Sequence, residues 1–192
     1  MPYLAPETVP AVVDDDPLED LVHGLLAGIT GVPATLVRPR WQPTPPVIPD
    51  FATNWIAFGI TSAEVDTYAW IGHDPNARAG LGADQLERDE TLKLLISFYG
   101  PLCKSILARF RDGVQIEFNR YDLEAAGIKF IEIGETINLP ALLKEQWVKR
   151  LDVPITLRRR VRRVYAVPNL VGAGVSAVDL DNEFYHTIVP IT

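Results

Sequence analysis

The stretch "ITLRRRVRRVYAV", residues 155–167, sets Arg158, Arg159, Arg160, Arg162 and Arg163 within six positions of a chain whose formal net charge is −7. As a free peptide it reads as a nucleic-acid patch or a nuclear import tag. Its other residues argue otherwise. Ile155, Leu157, Val161, Val164 and Val167 are strand formers, whereas an import tag is normally flexible. Side chains alternate along a strand, so one face carries Ile155, Leu157, Arg159, Val161, Arg163, Tyr165 and Val167. The other carries Thr156, Arg158, Arg160, Arg162, Val164 and Ala166. Thirteen residues of strand span roughly 43 Å, against a radius of gyration of about 16 Å for a compact domain of this length. Such a strand crosses the whole domain, bends, or projects beyond it. Projection suits contact with another copy or another protein.

Working outward, the flanking segments supply helices and further strands. Asp16, Pro17 and Glu19 form a helix start, and Leu18, Leu21, Val22, Leu25, Leu26 and Ile29 repeat at helical spacing until Gly31. Five prolines at 39, 43, 45, 46 and 49 make the next segment an extended loop. "NWIAFGIT" (54–61) and "TYAWIG" (67–72) read as a hairpin, 73–88 as a loop, and 90–100 as a half-buried strand. A second helix starts after Pro101, with Leu102, Cys103, Ile106, Leu107, Phe110 and Val114 on its apolar face and a reach to about Phe118. A short helical continuation follows, Tyr121–Ala126, ended by Gly127. Residues 128–139 form a strand whose apolar phase slips between Phe130 and Ile131, and 140–147 a helical turn. The fold class is α+β: an antiparallel or mixed sheet with two amphipathic helices on one face, plus extended N- and C-terminal arms. The expected organisation is a flexible acidic and proline-rich arm (1–16), the α+β domain (17–167) and a C-terminal arm (168–192).

Catalytic and metal chemistry find no foothold. His23, His73 and His186 have no ligand spacing, and the single Cys103 falls on an apolar helix face. One cysteine forms no intramolecular disulfide. No serine stands in a nucleophile elbow. "GAGVSA" (172–177) leaves too little chain behind it for a dinucleotide-binding unit. No cofactor, no metal and no enzymatic activity are expected. No apolar run is long enough for a membrane helix, and residues 1–13 lack the pattern of an export signal. Charge is segregated: Glu7, Asp14, Asp15, Asp16, Glu19 and Asp20 precede Arg38 with no lysine or arginine among them, while bases gather at 149–163. That polarity suits self-association. A nucleic-acid-binding module built on 158–163 is the alternative, set against a pI of about 4.9.

Several blocks together resemble the neck or tail terminator proteins of tailed bacteriophages: "LVRPRWQPTPP" (36–46), "FGIT" (58–61), "FYGP" (98–101), "NRYDLEAAGIKF" (119–130) and "LPALLKEQWVKRLDVPITLRRRVRRVY" (139–165). The resemblance covers about residues 17–167. The last block is the most specific, through Leu139, Pro140, Leu142, Trp147, Arg150, Asp152, Ile155, Arg158, Arg159 and Tyr165. It implies a structural virion protein that forms a ring, usually a hexamer, at the head-proximal end of the tail tube. Such a ring stops tube polymerisation and joins the tail to the head-side connector or stopper, with double-stranded DNA passing through its lumen. The implied partners are other copies of the chain, the tail tube protein and, in a contractile tail, the sheath, with no membrane. The implied location is the virion neck, after assembly in the host bacterial cytoplasm. Arg158, Arg159, Arg160, Arg162 and Arg163 are then expected at a subunit interface or at the lumen.

Overall fold

From Leu18 to Ile29 an apolar residue recurs every third or fourth position, and the chain there forms a helix whose one face is buried. Helix α1 (Asp15–Thr30) buries Leu18, Val22, Leu25 and Leu26. Asp15 and Asp16 in its first turn complement the helix dipole. Gly31, at φ +69°, closes it by donating its N–H to Ala27 O. The computed structural model describes residues 3–7, 15–42, 44, 47–143, 145–170, 174–178 and 184–188. Most of the arm read over 1–16, the prolines at 43, 45 and 46, and a share of 168–192 lie outside the described residues.

The remaining elements, in chain order, are β1 (Val37–Pro39), β2 (Trp55–Val65), β3 (Trp70–Asp74), the four-residue turn α2 (Ala77–Gly80) and β4 (Ala83–Tyr99). Then come α3 (Cys103–Gly113), α4 (Tyr121–Ala125), β5 (Ile128–Ile133), β6 (Ile137–Asn138), β7 (Ala141–Leu143) and β8 (Gln146–Val148). The chain continues with β9 (Arg150–Tyr165), β10 (Gly174–Val178) and β11 (Phe184–Ile188). They fall into two compact units.

The larger unit comprises Pro10–Ala69 and Arg88–Val161. Its sheet runs β1-β2-β4-β9-β5, with β6 also on β9. The β1–β2 pair is parallel; β2–β4, β5–β9 and β6–β9 are antiparallel, so the sheet is mixed. One face is apolar at every second residue: Ile56 and Phe58 on β2, Leu92 to Phe98 on β4, and Val153, Ile155 and Leu157 on β9. Helices α1 and α3 cover that face, with Cys103, Ile106, Leu107 and Phe110 among the buried residues. This is the two-helix α+β arrangement the sequence patterning implies. The phase slip in β5 is a real register shift between Phe130 and Glu132.

Four expectations need correction. Residues 140–147 are not a helical turn but the β7–β8 hairpin, turned at Glu145 with φ +64°. Ala141, Leu143 and Val148 pack against Ala57, Tyr99 and Trp55 on the sheet's second face, and that burial overrides the helix propensity of Leu-Leu-Lys-Glu. Helix α3 stops at Gly113 rather than near Phe118 and is followed by a short 3-10 turn (Glu117–Arg120). Finally, 73–88 is not all loop, and β2 and β3 are not hairpin partners: each pairs with β4, which starts at Ala83.

The smaller unit comprises Met1–Val9, Trp70–Glu87 and Arg162–Thr192. Here β3 pairs antiparallel with the start of β4, Trp70 opposite Glu87 and Asp74 opposite Ala83. The connection turns through Arg78 and Ala79 in the left-handed region and is fastened by Asn169. The Asn169 amide donates to Pro75 O at 2.9 Å and to Gly80 O at 2.8 Å, and its backbone N–H donates to Leu81 O. Gly82 has to be glycine there, since a Cβ would stand 2.4 Å from Asn169 Oδ1. Near the N-terminus, Glu7 donates its backbone N–H to Val164 O and pairs with Arg78 at 3.0 Å. Strands β10 and β11 form an antiparallel hairpin.

Candidate functional site

Strand β9 alternates as its sequence dictates. Ile155, Leu157 and Val161 are buried, while Arg158, Arg160 and Arg162 are exposed. The acids that meet the arginines come from the same chain. In the larger unit, Arg160 Nε donates to Asp89 Oδ1 at 2.9 Å, and Arg158 reaches Asp89 and Asp66 at 3.3 and 3.4 Å. The Arg160 guanidinium, and secondarily Arg158, holds the Asp89 carboxyl below its ordinary range. As the arginine number rises from 159 to 160 the acid's number falls from 90 to 89, and Asp152 reaches Ser97 at the same offset. Strands β4 and β9, neighbours in the sheet, are therefore antiparallel.

Arg159 differs from its exposed neighbours. It points to the apolar face, where its side chain is 9% exposed and that of Glu90 6%. Two donors bind one carboxylate oxygen, Nε at 2.9 Å and Nη2 at 2.7 Å. Arg88 takes the other oxygen at 2.7 Å, so one buried carboxylate lies between two guanidiniums. Such a cluster holds only while all its members are present. Arg88 Nε is buried and has no hydrogen-bond partner among the described residues. In the smaller unit, Arg162 bonds Glu87 through Nε at 2.5 Å. Arg163 is half-buried, and among the described residues no acid pairs with it.

The second face of the sheet carries a polar network that the sequence did not advertise. Asp152, buried at 3% exposure, accepts from Arg150 Nε at 2.7 Å and from Ser97 Oγ, and Ser97 in turn accepts from Arg40. Asp152, with its hydrogen bond, raises the Arg150 pKa above its ordinary value. The Arg150 guanidinium lies over the Tyr99 ring, which stacks on Trp55 with centroids 3.9 Å apart. Arg150 and Asp152 thus serve the fold through one another.

His23 and His73 are each held by local partners. His23 Nε2 bonds Ala34 O at 2.9 Å, and His73 lies opposite Asp84 on β4. The His73 ring is held at both nitrogens, by Asp84 Oδ1 at 2.7 Å and by Asn169 Oδ1 at 2.8 Å. These two bonds raise its pKa, with Asp84 the larger cause. Cys103 is buried, and burial pushes its thiol pKa up. Among the described residues no group of three or more His, Cys, Asp or Glu side chains is placed to hold a metal ion. Among them, too, no helix is long and apolar enough to cross a membrane.

Glu87 falls in the stretch that reads as loop and Glu90 opens the stretch that reads as a strand, but neither reading names β9 as the neighbour that brings Glu87, Asp89 and Glu90 to the arginines. Carrying the alternation of residues 90–98 back to Ala83 extends the strand and gives these acids their faces, but not their partners.

The described residues define an α+β protein whose most basic strand is bound to acids of its own chain. Residues 16–183 match the model of the phage neck terminator protein family, and the chain belongs to that family. The match runs past Val167, where the motif resemblance ends, into the C-terminal segment. No curated protein matches the chain. Membership implies a place in the virion neck or tail and interaction with tail and head components.

Proposed function

We propose that the chain forms a ring, hexameric by analogy with its family, at the head-proximal end of the tail tube. There it ends tube polymerisation and joins the tail to the head-side connector, without catalysing a reaction. The observation that carries this reading is the family match over residues 16–183. The charge pattern supports it: acids without bases before Arg38 and bases concentrated late suit the two unlike patches of a head-to-tail ring. The arginine strand suits an interface better than a DNA-reading surface. Asp66, Asp89 and Glu87 accompany its exposed arginines and would repel phosphate. Light scattering and negative-stain microscopy of the purified chain, alone and with tail tubes, test the proposal. Closed rings capping tubes of uniform length are expected; tubes that grow past the bound protein, or a chain that stays monomeric within assembled tails, would overturn it.

A further inference from the structure

We propose that the cleft beside Lys129 and Arg158 receives the acidic first turns of α1 from a second copy of this chain. The proposal rests on the ring reading above and names its contact. The β5–β9 register sets Lys129 directly opposite Arg158. Like charges placed so are mutually destabilising unless an anion lies between them. Lys129 is exposed and has no acid partner among the described residues. Arg158 touches its own acids only at 3.3 and 3.4 Å, and the nearer, Asp89, is already bound by Arg160 at 2.9 Å. The cleft, about 370 Å³, is lined also by Gly127 and Ile131, and it keeps an excess of positive charge beside an apolar wall.

The chain carries a matching counterpart. Asp16, Glu19 and Asp20 line a second cleft with His23, Val37 and Pro39, and none of these three acids has an ion-pair partner among the described residues. The Glu19 carboxyl is held above its ordinary range by partial burial and then by Asp16 and Asp20, as expected of acids lacking a cation. Duplex DNA fits the basic cleft less well. It presents a continuous line of phosphates and needs an extended basic face, whereas Arg160, which also lines the cleft, is already matched by Asp89.

The test uses the full chain and three variants: Lys129→Glu with Arg158→Glu, Asp16→Lys with Asp20→Lys, and all four changes together. All sites are on the surface, and circular dichroism verifies that each variant folds. Each double variant is expected to raise the protein concentration needed for rings by roughly tenfold or more, and the quadruple variant to recover most of that loss. Independently, Lys129→Cys combined with Asp20→Cys should give a ladder of disulfide-linked multimers on a non-reducing gel. Wild-type rings that persist unchanged in the double variants, or no ladder, would overturn this contact and leave the ring reading standing. Intact rings with lost duplex-DNA binding in Lys129→Glu/Arg158→Glu would overturn it in favour of a phosphate site. A wild-type chain that forms no ring even on tail tubes would sink both.

Discussion

Arg159 and Arg160 are adjacent in sequence and carry the same charge, yet they occupy opposite environments. Arg160 is 64% exposed and meets Asp89 in water; Arg159 is sealed beside Glu90 and shares it with Arg88. Strand alternation alone separates them. The contrast is between a charge that water would solvate equally well and one that the fold has withdrawn from water. A count of arginines treats them as one patch; energetically they are two kinds of residue.

The largest test of this contrast is Glu90→Gln, which leaves two guanidiniums facing each other in a nearly dry site. It should cost about 3–5 kcal/mol in urea unfolding, and a loss under 1 kcal/mol would erase the distinction. Replacing the whole cluster, Arg88→Met with Glu90→Leu and Arg159→Met, should regain most of the loss. Next comes Asp152→Asn on the opposite face, expected to cost about 2 kcal/mol by weakening the bonds to Arg150 and Ser97. Asp89→Asn should cost less than about 1 kcal/mol and less still in high salt. Because the folded Asp89 pKa is depressed, its contribution is present above the ordinary value of 3.8 and fades as pH falls through the lower folded value. A urea series from pH 2 to 6 on wild type and variant would show the difference closing at the acid end. The smallest effect belongs to His73, whose folded pKa is raised above 6.5. Its contribution is present below pH 6.5 and is lost as pH rises through the folded value, so NMR titration should find a midpoint above the ordinary one and His73→Gln should flatten that dependence.

Where burial writes the pattern, the sequence is legible. Leu18 to Ile29, Leu92 to Phe98 and Ile155 to Leu157 each show one apolar face, and each became the expected element. The start of β4 is different, because Asp84 to Glu90 places polar residues on both faces. That segment is a strand through what pairs with it: β3 on one side, and on the other β9, more than sixty residues further along the chain. The β7–β8 hairpin hides for a related reason: good helix formers are held extended by Tyr99 and Trp55, over forty residues upstream. Of the candidate site, the faces of the arginines were legible but their acids were not, since alternation fixes direction and says nothing about partners.

The buried pair also acts as an index mark for strand alignment. Were β9 displaced by two residues along β4, every side chain would keep its face. Arg158 would then come opposite Asp89, an acid it already touches at 3.3 Å, so the exposed arginines hardly distinguish the two alignments. The buried positions do. The same displacement would set Arg159 against Arg88 and bring Glu90 to Leu157, placing two cations together and a carboxylate on hydrocarbon. The exposed charges narrow the alignment to a few equivalent choices, and Glu90 with Arg159 selects one of them.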